Sequence, residues 1–269
     1  MYMYVNLSAP CGSGSACLVC RHYFGIKNDV SNCLQFVDDT TLVFPAGSNV
    51  VLQCLETRQQ RFIAGTTDTE GISAMTLSAN RKLLAVAEKS ERASISVYDV
   101  GTLKRRKLMM AADISIKEYV GLSFSNDCKL LAAQGGGPEW MLVLWTWEKS
   151  KVFCTAKVAA HASAHVLQCL FSPNDPTLLS LIGQGIFRLF KIVDSTLKQL
   201  SNTLPKRDTA SFTVHAWISD EKESLIVGTD TGEILVAGGV ARIQSARIQG
   251  RGRKDQQGDE SLQQQERRV

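Results

Sequence analysis

Short apolar runs alternate with polar turns along most of the chain, and the alternation recurs at a fixed spacing. Four segments share one phrase, in which a serine and a polar turn precede an apolar run: "TLSANRKLLAVAE", "SFSNDCKLLAAQG", "LFSPNDPTLLSLI" and "WISDEKESLIVGT". Their serines are Ser78, Ser125, Ser172 and Ser219, so each step is 47 residues. A constant period of about 20 to 50 residues is typical of repeat architectures.

Each repeat contains four segments with the composition of short β-strands. The apolar run is followed by a short loop, often rich in glycine, and then by a third strand such as "SISVYDV" or "MLVLWTW". A polar turn leads to a fourth segment, for example "KVFCTAK". Apolar and β-branched residues between turns favour strands, and no unit shows a useful helical period. Four antiparallel strands in about 40 to 45 residues are typical of a WD40-type propeller blade.

The WD signature itself is degenerate. Tyr98, Trp145 and Phe190 occupy the place of its aromatic residue, but only Tyr98 is followed by an aspartate, Asp99. An upstream segment, "NCLQFVDDTTLVFPAGSNVVLQCLETRQQRFI", fits one more and shorter unit. The predicted blades are residues 23–65, 66–112, 113–160, 161–206 and 207–240. We therefore predict an all-β, WD40-type β-propeller of about five degenerate four-stranded blades, either a closed five-blade ring or part of a larger propeller.

Composition and charge limit the classes of partner and the cellular compartment that we expect. The net charge of the 269 residues is +4, and residues 242–269 alone hold seven basic and four acidic side chains. The body is thus nearly neutral, which gives no electrostatic reason to expect a nucleic-acid partner. We also expect no membrane span and no secretory signal, because no apolar run approaches 18 residues and the start lacks a basic region. Eight scattered cysteines favour a reducing compartment.

Three regions are predicted. Residues 1–22 form a flexible leader, residues 23–240 form the WD40 repeat propeller, and residues 241–269 form a disordered polar tail. The tail is rich in Gln, Gly and charged residues, so it cannot bury enough apolar surface to offset the entropy of ordering.

Several segments together resemble the amino-terminal propeller of the cilia- and flagella-associated WD-repeat protein 57 family. They are "HYFGIKNDV", "GSNVVLQCLETRQQRFIAGT", "GISAMTLSANRKLLAVAEKSERASISVYDVGTLKRRK" and "LIVGTDTGEI". The resemblance spans residues 22–235 and identifies the chain with a short or truncated form of that region. It implies an axonemal scaffold of motile cilia that helps to place inner dynein arms and binds other axonemal proteins. It also implies no catalysis, no cofactor and no active-site residues.

Two groups of potential metal ligands are incomplete. Cys17, Cys20 and His22, with Cys11 nearby, supply half of a zinc site, but no second pair follows at a suitable spacing. His161 and His165 have the i, i+4 spacing of a helical metal site without the glutamate of the metalloprotease motif. We interpret the first group as free thiols in the leader and the second as solvated histidines between blades. No metal ligands are therefore predicted.

Two further motifs are interpreted as ordinary turns of a blade. The glycine run at residues 135–138, "GGGP", lacks the lysine and helix of a phosphate-binding loop and falls where a turn joins two strands. The basic run at residues 104–107, "KRRK", falls on the hairpin between the third and fourth strands of a blade, where exposed charge is expected. Among the tryptophans, we expect Trp145 and Trp217 in the core and Trp140 or Trp147 exposed as a binding hot spot.

The sequence thus predicts a non-enzymatic WD-repeat scaffold that mediates protein–protein interactions in the cytoskeleton of the motile-cilium axoneme. An alternative stays open, which is a generic WD40 adaptor subunit of a larger cytosolic complex. A propeller enzyme would need carboxylates or histidines that converge around the channel, and the four histidines occupy dissimilar repeat positions. No catalytic, cofactor-binding or metal-binding residues are predicted.

Overall fold

Five antiparallel four-stranded sheets follow one another along the chain. This computed structural model describes residues 3–7, 18–158, 165–200, 211–219, 224–238 and 242–246. The fold predicted from the 47-residue period, an all-β propeller of five blades, is confirmed. Each blade uses four strands in chain order, and the first strands of neighbouring blades contact each other and form the innermost layer.

The strand bounds are as follows. Blade 1 contains β3 (Gln35–Phe36), β4 (Thr41–Ala46), β5 (Asn49–Cys54) and β6 (Gln60–Ile63). Blade 2 contains β7 (Gly71–Leu77), β8 (Leu83–Lys89), β9 (Ser94–Asp99) and β10 (Arg105–Met110). Blade 3 contains β11 (Tyr119–Phe124), β12 (Leu130–Gly135), β13 (Met141–Thr146), a 3₁₀ turn (Trp147–Lys149) and β14 (Lys151–Lys157). Blade 4 contains β15 (Val166–Phe171), β16 (Leu178–Gly183), β17 (Ile186–Val193) and β18 (Thr196–Gln199). Blade 5 contains β19 (Phe212–Trp217), β20 (Leu225–Thr229), β21 (Ile234–Gly238) and β22 (Arg242–Ala246).

In blades 2 and 3, the repeated serine organises the turn between the first and second strands. Ser125 is fully buried, and its Oγ donates to Asp127 Oδ1 at 2.6 Å and accepts from the Leu130 amide at 2.9 Å. Ser78 makes the same two bonds, donating to Asn80 Oδ1 at 2.7 Å and accepting from the Leu83 amide at 3.0 Å. These bonds satisfy polar groups that burial would otherwise leave without a partner. The 47-residue phrase is therefore a structural turn motif.

Apolar clusters between consecutive blades form the core. Between blades 2 and 3, for example, Val97 packs in one cluster with Leu131 and Trp145. Comparable clusters join blades 1 and 2, blades 3 and 4, and blades 4 and 5. Each internal sheet buries both faces in this way, at about 1.5–3 kcal/mol for every large side chain removed from water. The stack of blades therefore provides the rigid frame on which the loops at its two ends are held.

Both ends of the repeat region differ from the boundaries expected from sequence. Within the predicted leader, β1 (Met3–Leu7) pairs with β2 (Leu18–Tyr23) as an antiparallel hairpin. At the other end, β22 pairs with β21 and so extends blade 5 beyond residue 240, into the predicted tail. Backbone pairing with a neighbouring strand supports these short segments, and their own composition gives little sign of it. Residues 8–17 and 247–269 lie outside the described residues, so a flexible leader and a disordered tail stay predictions there.

In the part of the chain that the structure describes, there is no helix with the length and hydrophobicity needed to span a membrane.

Candidate interaction site at the mouth of the central channel

The innermost strands surround a cavity at the end of the propeller where those strands begin. Its volume is about 670 Å³, and four blades contribute to its wall. We call it the channel mouth. It is lined by residues 27–31, Glu70, Ile72, Ser73, Lys89, residues 118–120, Trp140 and residues 165–167.

The repeat itself places these side chains together. Glu70, Glu118 and His165 each directly precede the first strand of a blade, so the stacked blades bring them to the same end of the channel. On the blade 1 side, Ser31 forms a parallel bridge with Ala74 and thereby holds residues 27–31 beside β7. The Lys27 amine donates to the Ile72 carbonyl at 2.8 Å, which fixes its position at the rim.

Charged groups of both signs surround the mouth. Lys27 lies 3.7 Å from Asp29, and Lys89 lies 3.4 Å from Glu118, in each case between the amine nitrogen and a carboxylate oxygen. Glu70 is exposed and has no ion-pair partner among the described residues. Because these pairs are open to solvent, they add little to stability and leave the groups available to a ligand. Glu70 is therefore the acidic group best placed to receive a basic side chain.

An apolar wall accompanies the charges. Leu167 is 41% exposed at the cavity, next to the buried Val166 on β15. Trp140 is buried in the same cluster as Val166, with its ring edge-on to the His165 ring at a centroid distance of 5.4 Å. His165 Nδ1 in turn lies 3.0 Å from Gln184 Oε1, which orients the imidazole. A cavity with mixed charge and one apolar wall suits a peptide segment that carries both basic and apolar side chains.

The sequence motifs outside this cavity serve structural roles or lie elsewhere. Cys20 and His22 belong to β2, and the His22 ring packs on Phe24 with centroids 4.5 Å apart. Cys11, Cys17 and His161 lie outside the described residues, so neither proposed ligand group is complete in the structure. Within the described parts of the chain, no three His, Cys, Asp or Glu side chains come together as metal ligands would.

The glycine run at residues 135–138 forms the turn between β12 and β13, and the Gly136 amide donates to the Glu118 carbonyl at 2.9 Å. The basic run at residues 104–107 lies at the hairpin between β9 and β10, where Arg106 binds Asp99 at 2.6 Å. The Thr102 amide, which donates to Asp99 Oδ1 at 2.9 Å, and to a lesser degree the bond from Arg106, lower the pKa of Asp99 to about 2. Asp99, the aspartate of the degenerate WD pair, thus closes a hairpin.

The expectation for the tryptophans is wrong in part. Trp145 is buried as expected, but Trp140 and Trp147 are buried as well, at 4% exposure each. The Trp147 indole donates to the Cys128 carbonyl at 2.7 Å, and this bond holds the ring over the first turn of blade 3. Neither ring can therefore serve as an exposed hot spot.

His215 is a buried polar residue that sequence reasoning did not place in the core. Its Nε2 lies 2.7 Å from Ser180 Oγ across the contact between blades 4 and 5, and its amide donates to Gln168 Oε1 at 2.9 Å. Burial lowers its pKa to about 3, so the ring is neutral at physiological pH. It lies away from the channel mouth, in an interface, where its role is structural.

The residues of the channel mouth were for the most part not predicted. Of those lining it, only Trp140 and His165 were singled out from sequence, and each for a different reason. A usable signal was present, because Glu70, Glu118 and His165 are 48 and 47 residues apart and so occupy equivalent repeat positions. Equivalent positions just before the inner strands must converge in a propeller.

Comparisons with known proteins agree with the architecture. No protein-family model matches the chain. By structure, it is similar to the β-propeller domain of Cps50 (Swd1) from Myceliophteria thermophila, with a TM-score of 0.55 and 16% identity over 69% of this chain and 57% of that one. At that identity, the likeness shows the fold alone.

By sequence, the chain is similar to several ciliary proteins. Cilia- and flagella-associated protein 57 of Mus musculus is 31% identical over 218 residues, which is 80% of this chain and 17% of that protein. Cilia- and flagella-associated protein 57 C of Tetrahymena thermophila is 29% identical over 68% of this chain and 14% of that protein. Cilia- and flagella-associated protein 44 of Mus musculus is 26% identical over 81% of this chain and 12% of that protein. The chain thus spans less than a fifth of the length of these curated relatives. Over its propeller repeats, the chain belongs to the cilia- and flagella-associated protein 57 family.

Proposed function

We propose that the chain is a non-enzymatic scaffold of the motile-cilium axoneme, located in the cytoplasm and its cytoskeleton, where it binds other axonemal proteins. The observation that carries this proposal is a rigid five-blade propeller whose relatives are named cilia- and flagella-associated proteins. Propellers present loops at fixed positions, which is what a protein-binding platform needs. A role in placing or assembling inner dynein arms is the specific form of the proposal.

The channel mouth is the proposed binding site for a partner segment. Glu70 would receive a basic side chain of the partner, and Leu167 would receive an apolar one. Both side chains are exposed at the rim, Leu167 at 41%. We therefore expect substitutions of these side chains to leave the blades folded.

Retention on detergent-extracted axonemes tests the proposal. We would express tagged chain in multiciliated cells, remove the membranes and measure the fraction of tag that stays with the microtubule scaffold. We expect retention of the wild-type chain and loss of most of it in Glu70→Lys. Glu148→Lys is the matched control, since it makes the same charge change on an exposed residue at the opposite end of blade 3. Cross-linking of the retained chain would then test for an inner-arm neighbour.

Release of intact wild-type chain into the soluble fraction would contradict axonemal docking. A stable complex recovered from non-ciliated cells would then favour the alternative, a cytosolic WD40 adaptor. Equal retention of Glu70→Lys and Glu148→Lys would leave the axonemal location standing but would remove the channel mouth as its basis.

A further inference from the structure

Positive charge is concentrated at the outer strand of blade 2. The basic run at residues 104–107 stands at the start of β10, and three of its four side chains are exposed. Arg61 of blade 1 reaches the same turn and donates to the Gly101 carbonyl at 2.9 Å. We call Arg61 and residues 104–107 the basic edge. Among the described residues, only Arg106 of this group has an ion-pair partner, Asp99, so five cations and one carboxylate give a charge of +4, as large as that of the whole chain.

The backbone of β10 has one free edge in the part of the chain that the structure describes. β10 is the outermost strand of its sheet and pairs only with β9. In such a strand, every second residue turns its amide and carbonyl outward. The 3₁₀ turn of blade 3 contacts β10 and adds one acid and one base, Glu148 and Lys149, which leaves the charge balance unchanged. The free edge can therefore bond the main chain of an added extended segment.

Every blade has an outermost strand, but β10 differs from the others in charge and in exposed apolar surface. β6, β14, β18 and β22 each contain one or two basic residues, whereas β10 contains three and follows a fourth. Leu108 and Met110 of β10 are also 40% and 51% exposed. A strand edge that is only protected against pairing carries charge at its exposed positions. Exposed leucine and methionine do the opposite, because they favour contact with another apolar group.

The charged and apolar side chains share one side of the sheet. The register pairs Arg105, Leu108 and Met110 with alternate residues of β9, so all three lie on the side of Tyr98, which packs towards blade 1. Arg61 approaches from that same blade. A strand added beside β10 would thus meet cations at one end and two apolar side chains at the other.

We propose that β10 binds an extended acidic peptide segment of a partner protein, which adds to blade 2 as a fifth strand. The main chain of the segment bonds the free edge, its carboxylates meet the basic edge, and an apolar side chain packs on Leu108 and Met110. Strand addition distinguishes a peptide from a nucleic acid or a lipid surface, because neither of these offers a main chain of amides and carbonyls. No residue of the basic edge lines the channel mouth, so this contact is separate from the one proposed there.

Charge also argues against occupation by the segments of this chain that lie outside the described residues. Residues 201–210 and 247–269 each contain more basic than acidic side chains. Residues 220–223 are acidic but are only four in number, fewer than the about five or six of a usual strand. The others contain no acidic side chain: residues 1–2, 8–17, 159–164 and 239–241. We therefore assign the acidic segment to a partner.

Fluorescence anisotropy of the full chain with a labelled, capped peptide tests the proposal. The peptide has about ten residues, with leucines in one half and glutamates in the other, and should bind with a dissociation constant on the order of 100 µM, because the contact is small. Arg105→Glu should weaken binding at least about fivefold. Lys198→Glu is the matched control, since it makes the same charge reversal on an exposed residue of the outer strand of blade 4, and should bind like the wild type.

Two further comparisons separate strand addition from simple attraction between charges. The same peptide with alternate backbone amides N-methylated keeps its charge but loses its donors, and should bind at least about tenfold more weakly. Leu108→Ser/Met110→Ser should weaken binding of the unmethylated peptide about threefold or more. Lys104→Glu lies in the turn before the strand and should repeat the loss seen in Arg105→Glu, with circular dichroism to establish that both variants are folded.

Hydrogen exchange locates the contact. Addition of the peptide should slow exchange of the β10 amides and leave those of β18 unchanged. Absence of saturable binding up to about 1 mM, or equal binding by Arg105→Glu and Lys198→Glu, would overturn the proposal. So would β10 amides that are already protected along the whole strand in the free chain. Equal binding of the N-methylated peptide, or tighter binding of a DNA oligonucleotide or of anionic lipid vesicles, would overturn it in favour of a partner that reads charge alone.

Discussion

At the scale of single residues, buried polar groups form the hydrogen bonds that fix the turns and join neighbouring blades. Ser125 and Ser78 satisfy the amides that open the second strand, and His215 joins two blades through Ser180. Each of these groups is buried and hydrogen-bonded, so its removal costs more than the loss of one exposed contact. Two predictions follow from the chemistry of these side chains.

Ser125→Ala should lower the free energy of unfolding by about 1–3 kcal/mol, because it leaves the Leu130 amide without its side-chain acceptor and breaks the bond to Asp127. Urea denaturation at pH 7 would measure the loss. Ser115→Ala is the control, since Ser115 is exposed in the loop before β11 and should change stability by less than about 0.5 kcal/mol. Equal effects in the two variants would show that the repeated serine has no special role.

Stability should fall as the pH drops from 7 to 5, because of His215. The pKa of His215 is about 3 in the folded state and near 6.5 in the unfolded state. Below about pH 6.5 the unfolded state therefore binds a proton while His215 in the folded state stays neutral, and this difference favours unfolding. The expected loss is about 2 kcal/mol over this interval. The carboxylates with lowered pKa values, such as Asp99 and Asp127, contribute mainly below this range.

His215→Gln isolates this effect. The amide side chain does not titrate, so the variant should lose much less stability than the wild type between pH 7 and pH 5, even if it is less stable at pH 7. Urea midpoints at both pH values would make the comparison. A wild-type midpoint that does not move would mean that His215 is accessible to protons in the folded state.

At the scale of elements, the second strand of each blade controls how closely the next blade approaches. Blades 2 and 3 place the small side chains Ala85 and Ala132 there, both fully buried. Opposite Ala132 lies a cluster that includes Leu179 and Leu181 of blade 4. Interiors are packed too densely to accept a larger group at such a point without strain.

Ala132→Leu should therefore destabilise the protein by about 1–3 kcal/mol through overpacking against blade 4. Ala216→Leu makes the same change on the side of blade 5 that faces away from blade 4, where Ala216 is exposed, and should alter stability by less than about 0.5 kcal/mol. Thermal and urea unfolding at about 1 µM would compare the two variants as monomers. Similar losses at both positions would show that Ala216 is covered within the monomer.

At the scale of the whole molecule, the blades differ in how many of their faces are covered. Blade 3 packs through both faces, on blades 2 and 4, whereas blade 5 packs through the face towards blade 4. In a linear array of repeats, stability is close to a sum of repeat and interface contributions. We therefore expect blade 5 to open more easily than blade 3.

Hydrogen exchange should show this gradient. At low micromolar concentration, the amides of β12 and β13 should be protected at least about tenfold more than those of β20, because opening blade 5 breaks one interface and opening blade 3 breaks two. Mass spectrometry of exchanged peptides would resolve the two regions. Equal protection would mean that the five blades open as one cooperative unit.

The sequence by itself determined the strands, the turns and the number of blades. Turn chemistry around Ser78 and Ser125 and the alternation of apolar residues act over a few neighbouring positions, so a fixed period is enough to recognise them. It also indicated the family, through segments such as the one from Glu70 to Lys107. The candidate site was less accessible, since Glu70, Glu118 and His165 looked like ordinary loop residues.

Only the tertiary structure decided which surfaces are covered. Trp140 and Trp147 are buried, His215 is neutral within an interface, and β22 belongs to blade 5, although local sequence suggested none of these. The same apolar strand pattern is fully buried in blade 3 and exposed at Val214 in blade 5. Burial depends on which residues the stacked sheets place opposite a side chain. Those residues lie tens of positions away in the chain, so the local sequence pattern does not identify them.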